Sequence, residues 1–275
     1  MTDYTPPLRD IFYVLNEVVE VGHLYETESF GHVDEDTVRM VLEEVGRFMA
    51  EVVAPTNRVG DTEGAIWHPD GTVTTPDEFK AAYRQMVDAG YGAIPFDPAY
   101  GGGGFPWVAA ISIQEMLTSA NMAFSLWALL TQGAIDAFVH HGSDEQKAMY
   151  LPKMLTGEWT GTMNLTESEA GSDVGALTSK AEPVGDGSWK IRGQKIFISY
   201  GEQDLSDNII HLVLARTPDS PPGTRGISMF VVPKFLVNDD GSLGDRNDVT
   251  CVSIEHKLGI HGSPTCVLAY GENDG

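Results

Sequence analysis

Apolar positions follow the helical period through the first half of the chain. Leu8, Ile11, Phe12, Leu15, Val18 and Val19 recur at that spacing. Val38, Val41, Leu42, Val45, Phe48, Met49, Val52 and Val53 do so more strongly, and Pro55 closes that segment. Thr75, Pro76, Asp77 and Glu78 read as a capping box with proline at the first helical position. The helix it opens buries Phe79, Tyr83, Met86 and Val87, and Gly90 suits its C-terminal cap. A pair of apolar helices is expected over residues 108–140. Ser143, Asp144, Glu145 and Gln146 form a second capping box, opening a short helix that Pro152 limits.

Near Trp159 the pattern changes to that of strands. Residues 162–166 read as a strand, and residues 179–184 and 189–199 as two more, joined by the hairpin signal Gly185-Asp186-Gly187. Segments 209–216, 226–233, 249–255 and 265–270 complete the set, with turns or loops at 218–223 and 238–248. No internal repeat or low-complexity tract interrupts the order. The expected fold class is α+β multidomain: an all-helical N-terminal domain over residues 1–158, then an antiparallel β-rich domain over residues 159–275.

Composition narrows the partners. Net charge is −23, from 40 acidic and 17 basic residues among 275. Phosphate would be repelled, which argues against nucleic acid or an anionic membrane surface. A solubility device is the plain reading of that charge, against steering of a cationic partner. Cys251 and Cys266 cannot make a disulfide framework, so buried, reduced thiols and a cytoplasmic location are expected. The chain does not open on a secretory signal pattern, so the Asn164-Leu165-Thr166 sequon is read as chance. The apolar stretch 122–139 is interrupted by Ser125, Thr131, Gln132 and Asp136, and reads as a buried helix, not a membrane span. His140 and His141 read as a helix-end pair and not as metal ligands. Gly101 to Gly104 lacks the third glycine of a dinucleotide fingerprint, since position 106 is proline. No Walker, H-E-x-x-H or C-x-x-C pattern occurs.

Candidate chemistry concentrates in two stretches. Residues 163–173 read MNLTESEAGSD, a short strand running into a turn of small residues that leaves N–H groups and hydroxyls free for a large polar ligand. Residues 195–201 read KIFISYG, in which Phe197 and Ser199, two apart on a strand, share a face. Together they resemble the flavin-binding signatures of the acyl-CoA dehydrogenase family. The similarity continues in order through AGYGAIP at 89–95 with YGG at 100–102, GSDEQK at 142–147 with YLPK at 150–153, GEW at 157–159, LART at 214–217, RGIS at 225–228 and KLG at 257–259. Any one of these is weak; so many in the right order are not accidental. The segment before Val38, with LRDI at 8–11, looks like the branch acting on 3-(methylthio)propionyl-CoA and certain longer acyl-CoAs.

The resemblance implies a helical N-terminal domain, a β-barrel-like middle domain and a C-terminal helical bundle, the last missing from this sequence. It implies FAD as cofactor and conversion of an acyl-CoA to its trans-2-enoyl-CoA. The electron acceptor would be an electron-transfer flavoprotein, and the assembly a homo-oligomer. The alternative is a non-catalytic partner subunit or fragment supplying part of a flavin and acyl-CoA site. On this reading Met163, Leu165, Thr166, Gly171, Ser172, Phe197 and Ser199 bind the cofactor, and Ser172 also meets substrate. Thr166 would bond the flavin ring, against the plainer reading of a sheet-edge threonine. Ser172 would donate to the pyrophosphate, with Gly171 allowing close backbone approach, against an ordinary turn serine. Asp173 reads as a turn cap. Phe197 would pack on the ring and Ser199 bond its polar edge, where the family often has tryptophan and threonine; plain core packing is the alternative for Phe197. No residue matches the family's catalytic glutamate, so Glu115, Glu167 and Glu169 are not assigned as the base.

Overall fold

The computed structural model describes residues 4–273. Its first half is helical. Helix α1 (Leu8–Tyr13) runs into a π-turn at Val14–Val18, and a short α2 (Gly22–Tyr25) follows. The wider turn leaves Val18 and Val19 exposed, although their spacing suits a buried face. Helix α3 (Glu35–Phe48) starts where the Asp34 carboxylate accepts the Thr37 N–H at 2.7 Å. It buries Val38, Leu42 and Val45, and continues as a π segment at Met49–Val53. Pro55 then opens a further helix, α4 (Thr56–Thr62). A small hairpin absent from the sequence reading, β1 (Ile66–Trp67) with β2 (Val73–Thr74), precedes α5 (Asp77–Asp88).

Two cap expectations fail for tertiary reasons. Thr75 does not cap α5. Its N–H and hydroxyl both donate to Asp204 Oδ1, at 2.9 and 2.7 Å. A carboxylate from the β half is a stronger acceptor than anything the helix start offers Thr75. Pro152 does not limit α8 (Asp144–Thr156) either. The helix runs past it, because the loss of one helical hydrogen bond is offset by burial of Leu151, Met154 and Leu155. Gly157, with φ of +79°, ends it. The second capping box is formed as expected, Ser143 and Gln146 bonding each other's backbone.

Helices α6 (Trp107–Ala120) and α7 (Met122–His141) form the centre of the helical half. By length and composition α7 could cross a membrane, yet half of it is buried in this fold. Phe124, Trp127, Ala134, Ile135 and Phe138 are its core residues.

The second half is a curled, half-barrel sheet. Its strands are β3 (Trp159–Asn164), β4 (Lys180–Pro183), β5 (Trp189–Ser199), β6 (Asn208–Arg216), β7 (Ile227–Pro233), β10 (Val249–Glu255) and β11 (Thr265–Tyr270). A separate hairpin pairs β8 (Phe235–Val237) with β9 (Leu243–Arg246), the second of which lies inside the 238–248 stretch expected to be loop. The main order is β10-β11-β5-β4-β6-β3, with β7 on the other edge of β6. The sheet is mixed, not purely antiparallel, since β3 runs parallel to β6. Strand β3 stops at Asn164, which leaves Leu165 and Thr166 in the following loop.

Helix α7 lies directly on β3, and Gly161 permits it. A Cβ at Gly161 would sit 2.4 Å from the Ala134 Cβ and 2.9 Å from the Met154 Cε. The Gly161 N–H donates to the Thr131 hydroxyl at 3.1 Å, a bond between the helical and β halves. Gly161→Ala is expected to lower stability by about 1–3 kcal/mol through overpacking, read as a lower urea midpoint.

Candidate functional site

Strand β6 explains why one loop stands clear of the sheet. Its first residues pair with β3, as Asn208 to Val213 opposite Trp159 to Asn164. Its last residue, Arg216, pairs with Lys180 of β4. Because β7 occupies the opposite edge, β3 and β4 lie end to end along one edge of β6. Residues 165–179 are the excursion between them. The loop must leave the sheet and return within a few residues of where it left.

Glu167 closes its neck. The carboxylate accepts the Thr178 N–H and hydroxyl on Oε2 at 2.7 and 2.8 Å, and the Ser179 N–H on Oε1 at 3.0 Å. Lys195 of β5 donates to the same Oε1 at 2.8 Å and to the Leu165 carbonyl at 3.0 Å. Both charges are shielded, with side-chain exposures of 8% for Glu167 and 0% for Lys195. The Ile196 N–H donates to the Thr166 carbonyl at 2.9 Å, so the loop docks where β4 no longer pairs with β5. Close packing here also requires Gly193: a Cβ there would lie 2.3 Å from the Ser179 hydroxyl. Burial works to raise the Glu167 pKa, but the bonds from Lys195, Ser179 and Thr178 outweigh it and hold the carboxyl at about 2. Burial presses the Lys195 pKa downward, against the opposing pull of Glu167. Glu167 is therefore a spent anion, not a base. Glu169 and Glu115 are exposed.

Arg216 pins the far side of the loop. Its guanidinium donates to the carbonyls of Leu177 at 3.0 Å, Gly175, Pro221 at 3.1 Å and Gly223 at 3.0 Å.

The structure brings Thr166 beside the segment that carries Phe197 and Ser199, through the Ile196 bond. Strand β5 is irregular here. Lys195 and Ile198, three apart, are both buried, and the register against β11 shifts between Cys266 and Leu268. Phe197 has φ of +59°, uncommon for a non-glycine residue, and is 51% exposed. This bulge was invisible in the two-residue period. Tyr200 anchors the end of the strand to α7, donating to the Ala123 carbonyl at 2.8 Å. Gly171 and Ser172 lie farther along the loop and are exposed, and a Cβ at Gly171 would meet nothing within 4 Å. Met163 pairs with Leu212 in β3 and packs against the α7–α8 cluster, while Leu165 is half-buried.

A flavin fits this donor set. Among the described residues, the hydroxyls of Thr166, Ser172 and Ser199 have no protein partner, and Phe197 offers an open aromatic face. Free hydroxyls and an uncovered ring beside a loop of small residues suit a flat aromatic with polar edges and a pyrophosphate. A small cleft of about 20 Å³ between α5, α7 and α8, lined by Trp127, Thr131 and Gln132, includes none of these residues.

Sequence reasoning missed the buried polar groups under the loop. His211 Nδ1 and the Thr162 hydroxyl are 2.7 Å apart, Asn164 donates to Thr162 at 2.8 Å, and Tyr270 donates to Asn164 at 2.8 Å. Burial, with smaller contributions from Lys234 and Arg246, pushes His211 down to about 3 and keeps it neutral. The available signal was a lysine at an apolar strand position, Lys195, facing a glutamate in the loop. Both cysteines are buried in strands, as expected.

The Glu167 pair has a pH signature. The unfolded carboxyl binds its proton near 4.5 and the folded one near 2. Acid therefore favours the unfolded chain, and the contribution of Glu167 is full above pH 4.5 and lost on descent towards 2. Urea midpoints measured across that window should fall, and Glu167→Gln should remove much of the fall while lowering stability by about 3–5 kcal/mol at neutral pH.

Comparison with known proteins agrees with this geometry. Residues 35–158 match the family model described as acyl-CoA dehydrogenase, N-terminal domain, and residues 162–271 match the middle domain of the same family. The chain is 47% identical over 272 residues to 3-methylmercaptopropionyl-CoA dehydrogenase of Ruegeria pomeroyi, covering 99% of this chain and 46% of that protein. It is 42% identical to a butyryl-CoA dehydrogenase of Syntrophomonas wolfei, covering 99% of this chain and 45% of that one. A solved structure described as the electron transferring flavoprotein of Acidaminococcus fermentans aligns at a TM-score of 0.70 and 27% identity, over 86% of this chain and 55% of that one. The chain thus spans about half the length of the curated relatives it matches. With both domain models matched in order, the chain belongs to the acyl-CoA dehydrogenase family.

Proposed function

We propose that this chain supplies the flavin-binding part of an FAD-dependent acyl-CoA dehydrogenase, with residues 1–158 as its helical domain and 159–275 as its middle domain. The observation that carries the reading is the docking of Thr166 on Ile196, beside the bulged segment that carries the exposed Phe197 and Ser199. Thr166 and Ser199 would bond the polar edge of the flavin, Phe197 would pack on its face, and Gly171 and Ser172 would receive the pyrophosphate. Met163 and Leu165 would contribute through their backbone, since Met163 packs its side chain inward.

The reaction removes the α-proton and β-hydride of an acyl thioester, giving the trans-2-enoyl-CoA. When bound, FAD accepts the hydride. Ser172 would also meet the substrate. No carboxylate of this chain is assigned as base: none matches the family's catalytic glutamate, and Glu167 is bound in its ion pair. The substrate class follows the relatives: 3-(methylthio)propionyl-CoA or a straight-chain acyl-CoA. Electron-transfer flavoprotein is the proposed acceptor, consistent with a structural neighbour so described. Homo-oligomers and a cytoplasmic location complete the proposal, the latter supported by two free, buried thiols.

Purified protein incubated with FAD should carry a visible flavin band, and anaerobic addition of 3-(methylthio)propionyl-CoA or butyryl-CoA should perturb that band without bleaching it, since no carboxylate of this chain is placed as base. Absence of any flavin after incubation with FAD would overturn the reading. Ser172→Ala should weaken FAD binding about tenfold, the loss of one charge-assisted hydrogen bond of about 1.5 kcal/mol, measured by fluorescence titration.

A further inference from the structure

We propose that the Glu167–Lys195 ion pair is a positioning device for the cofactor, holding Thr166 at a fixed place against the bulged end of β5. The inference rests on the flavin reading above and adds the residues that set its geometry.

Four observations converge on it. Lys195 and Glu167 are too buried to present themselves to a ligand, at 0% and 8% side-chain exposure. Their bonds all run to the backbone or side chains of the loop neck: Leu165 from Lys195, and Thr178 and Ser179 to Glu167. The residues they bracket are the cofactor candidates. Thr166 lies between Leu165 and Glu167, and Ile196, which donates to Thr166, lies between Lys195 and Phe197. Finally, the loop beyond the neck is mostly exposed from Ser168 to Asp173, Ala170 excepted, so little apolar packing can hold it in place.

A purely hydrophobic neck would close the loop equally well, but it would leave the register between loop and strand loosely defined. A charged pair bonded to four partner groups admits one register only. That makes Glu167 and Lys195 positioning residues: they act on the flavin through Thr166, Phe197 and Ser199, without touching it.

The test compares wild type, Glu167→Gln, Lys195→Met and the milder Thr178→Ala, with Leu42→Ala in the buried face of α3 as a destabilised control away from the loop. FAD affinity is measured by fluorescence titration, the bound flavin by its absorption band, and the loop by amide hydrogen exchange. Glu167→Gln and Lys195→Met should each weaken FAD at least tenfold, shift or blur the band, and speed exchange at residues 166–178 more than in β10 and β11, and more than the control does. The double variant should be no weaker than the worse single, and Thr178→Ala should fold normally and lose about threefold. Equal affinity and an unchanged band in Glu167→Gln would overturn the inference while leaving the flavin reading intact. So would losses no larger than those of Leu42→Ala. A wild type that takes no FAD would instead overturn the flavin reading. Exchange then still decides whether the pair orders the loop, and no local change in the variants would overturn that as well.

Discussion

A buried ion pair in the neck of one loop is the constraint on which the rest of the site depends. Glu167 and Lys195 are removed from water, and neither charge would be stable there alone. Their mutual bond and the donors around the carboxylate make the arrangement tolerable, and those donors, Thr178 and Ser179, sit on the returning leg while Glu167 sits on the outgoing one. The cost of burying the charges thus enforces the geometry. The legs cannot separate without leaving an uncompensated charge inside the protein.

The loop needs such closure because of how the sheet is threaded. Strands β3 and β4 meet the same edge of β6 in succession, so the chain between them has no ladder to join. Its polar backbone groups must find other partners, and Arg216 supplies two from the outer side, to the Leu177 and Gly175 carbonyls. The inner side is met by β5, whose edge is free past Arg192. Helix α7 completes the frame. It presses on β3 through Gly161 and receives the Tyr200 hydroxyl at the end of β5. Both edges of the candidate site are therefore referred to a single buried helix.

Much of this was legible from residue patterns. The change of period near Trp159, the Ser143 capping box and the hairpin at Gly185-Asp186-Gly187 are local features, and local spacing reports them. Thr166, Gly171, Ser172, Phe197 and Ser199 were singled out by motif, and the structure places Thr166 beside the Phe197 segment. The failures share a cause. Thr75 turned to Asp204, well over a hundred residues away in sequence. Pro152 was carried through by the core beneath it, and the parallel pairing of β3 with β6 joins segments whose sequences contain no sign of direction.

The sequence by itself determined the elements, their order and the chemical types in the motif stretches, because side-chain periodicity and turn chemistry act over a few residues. It also carried the membership of the acyl-CoA dehydrogenase family. Only the tertiary structure decided that Glu167 is an anchor, that β5 bulges at Phe197, and that one loop is closed by charge. Those outcomes depend on desolvation and on which distant groups arrive to compensate it. That is a property of the packed molecule, which no local pattern reports.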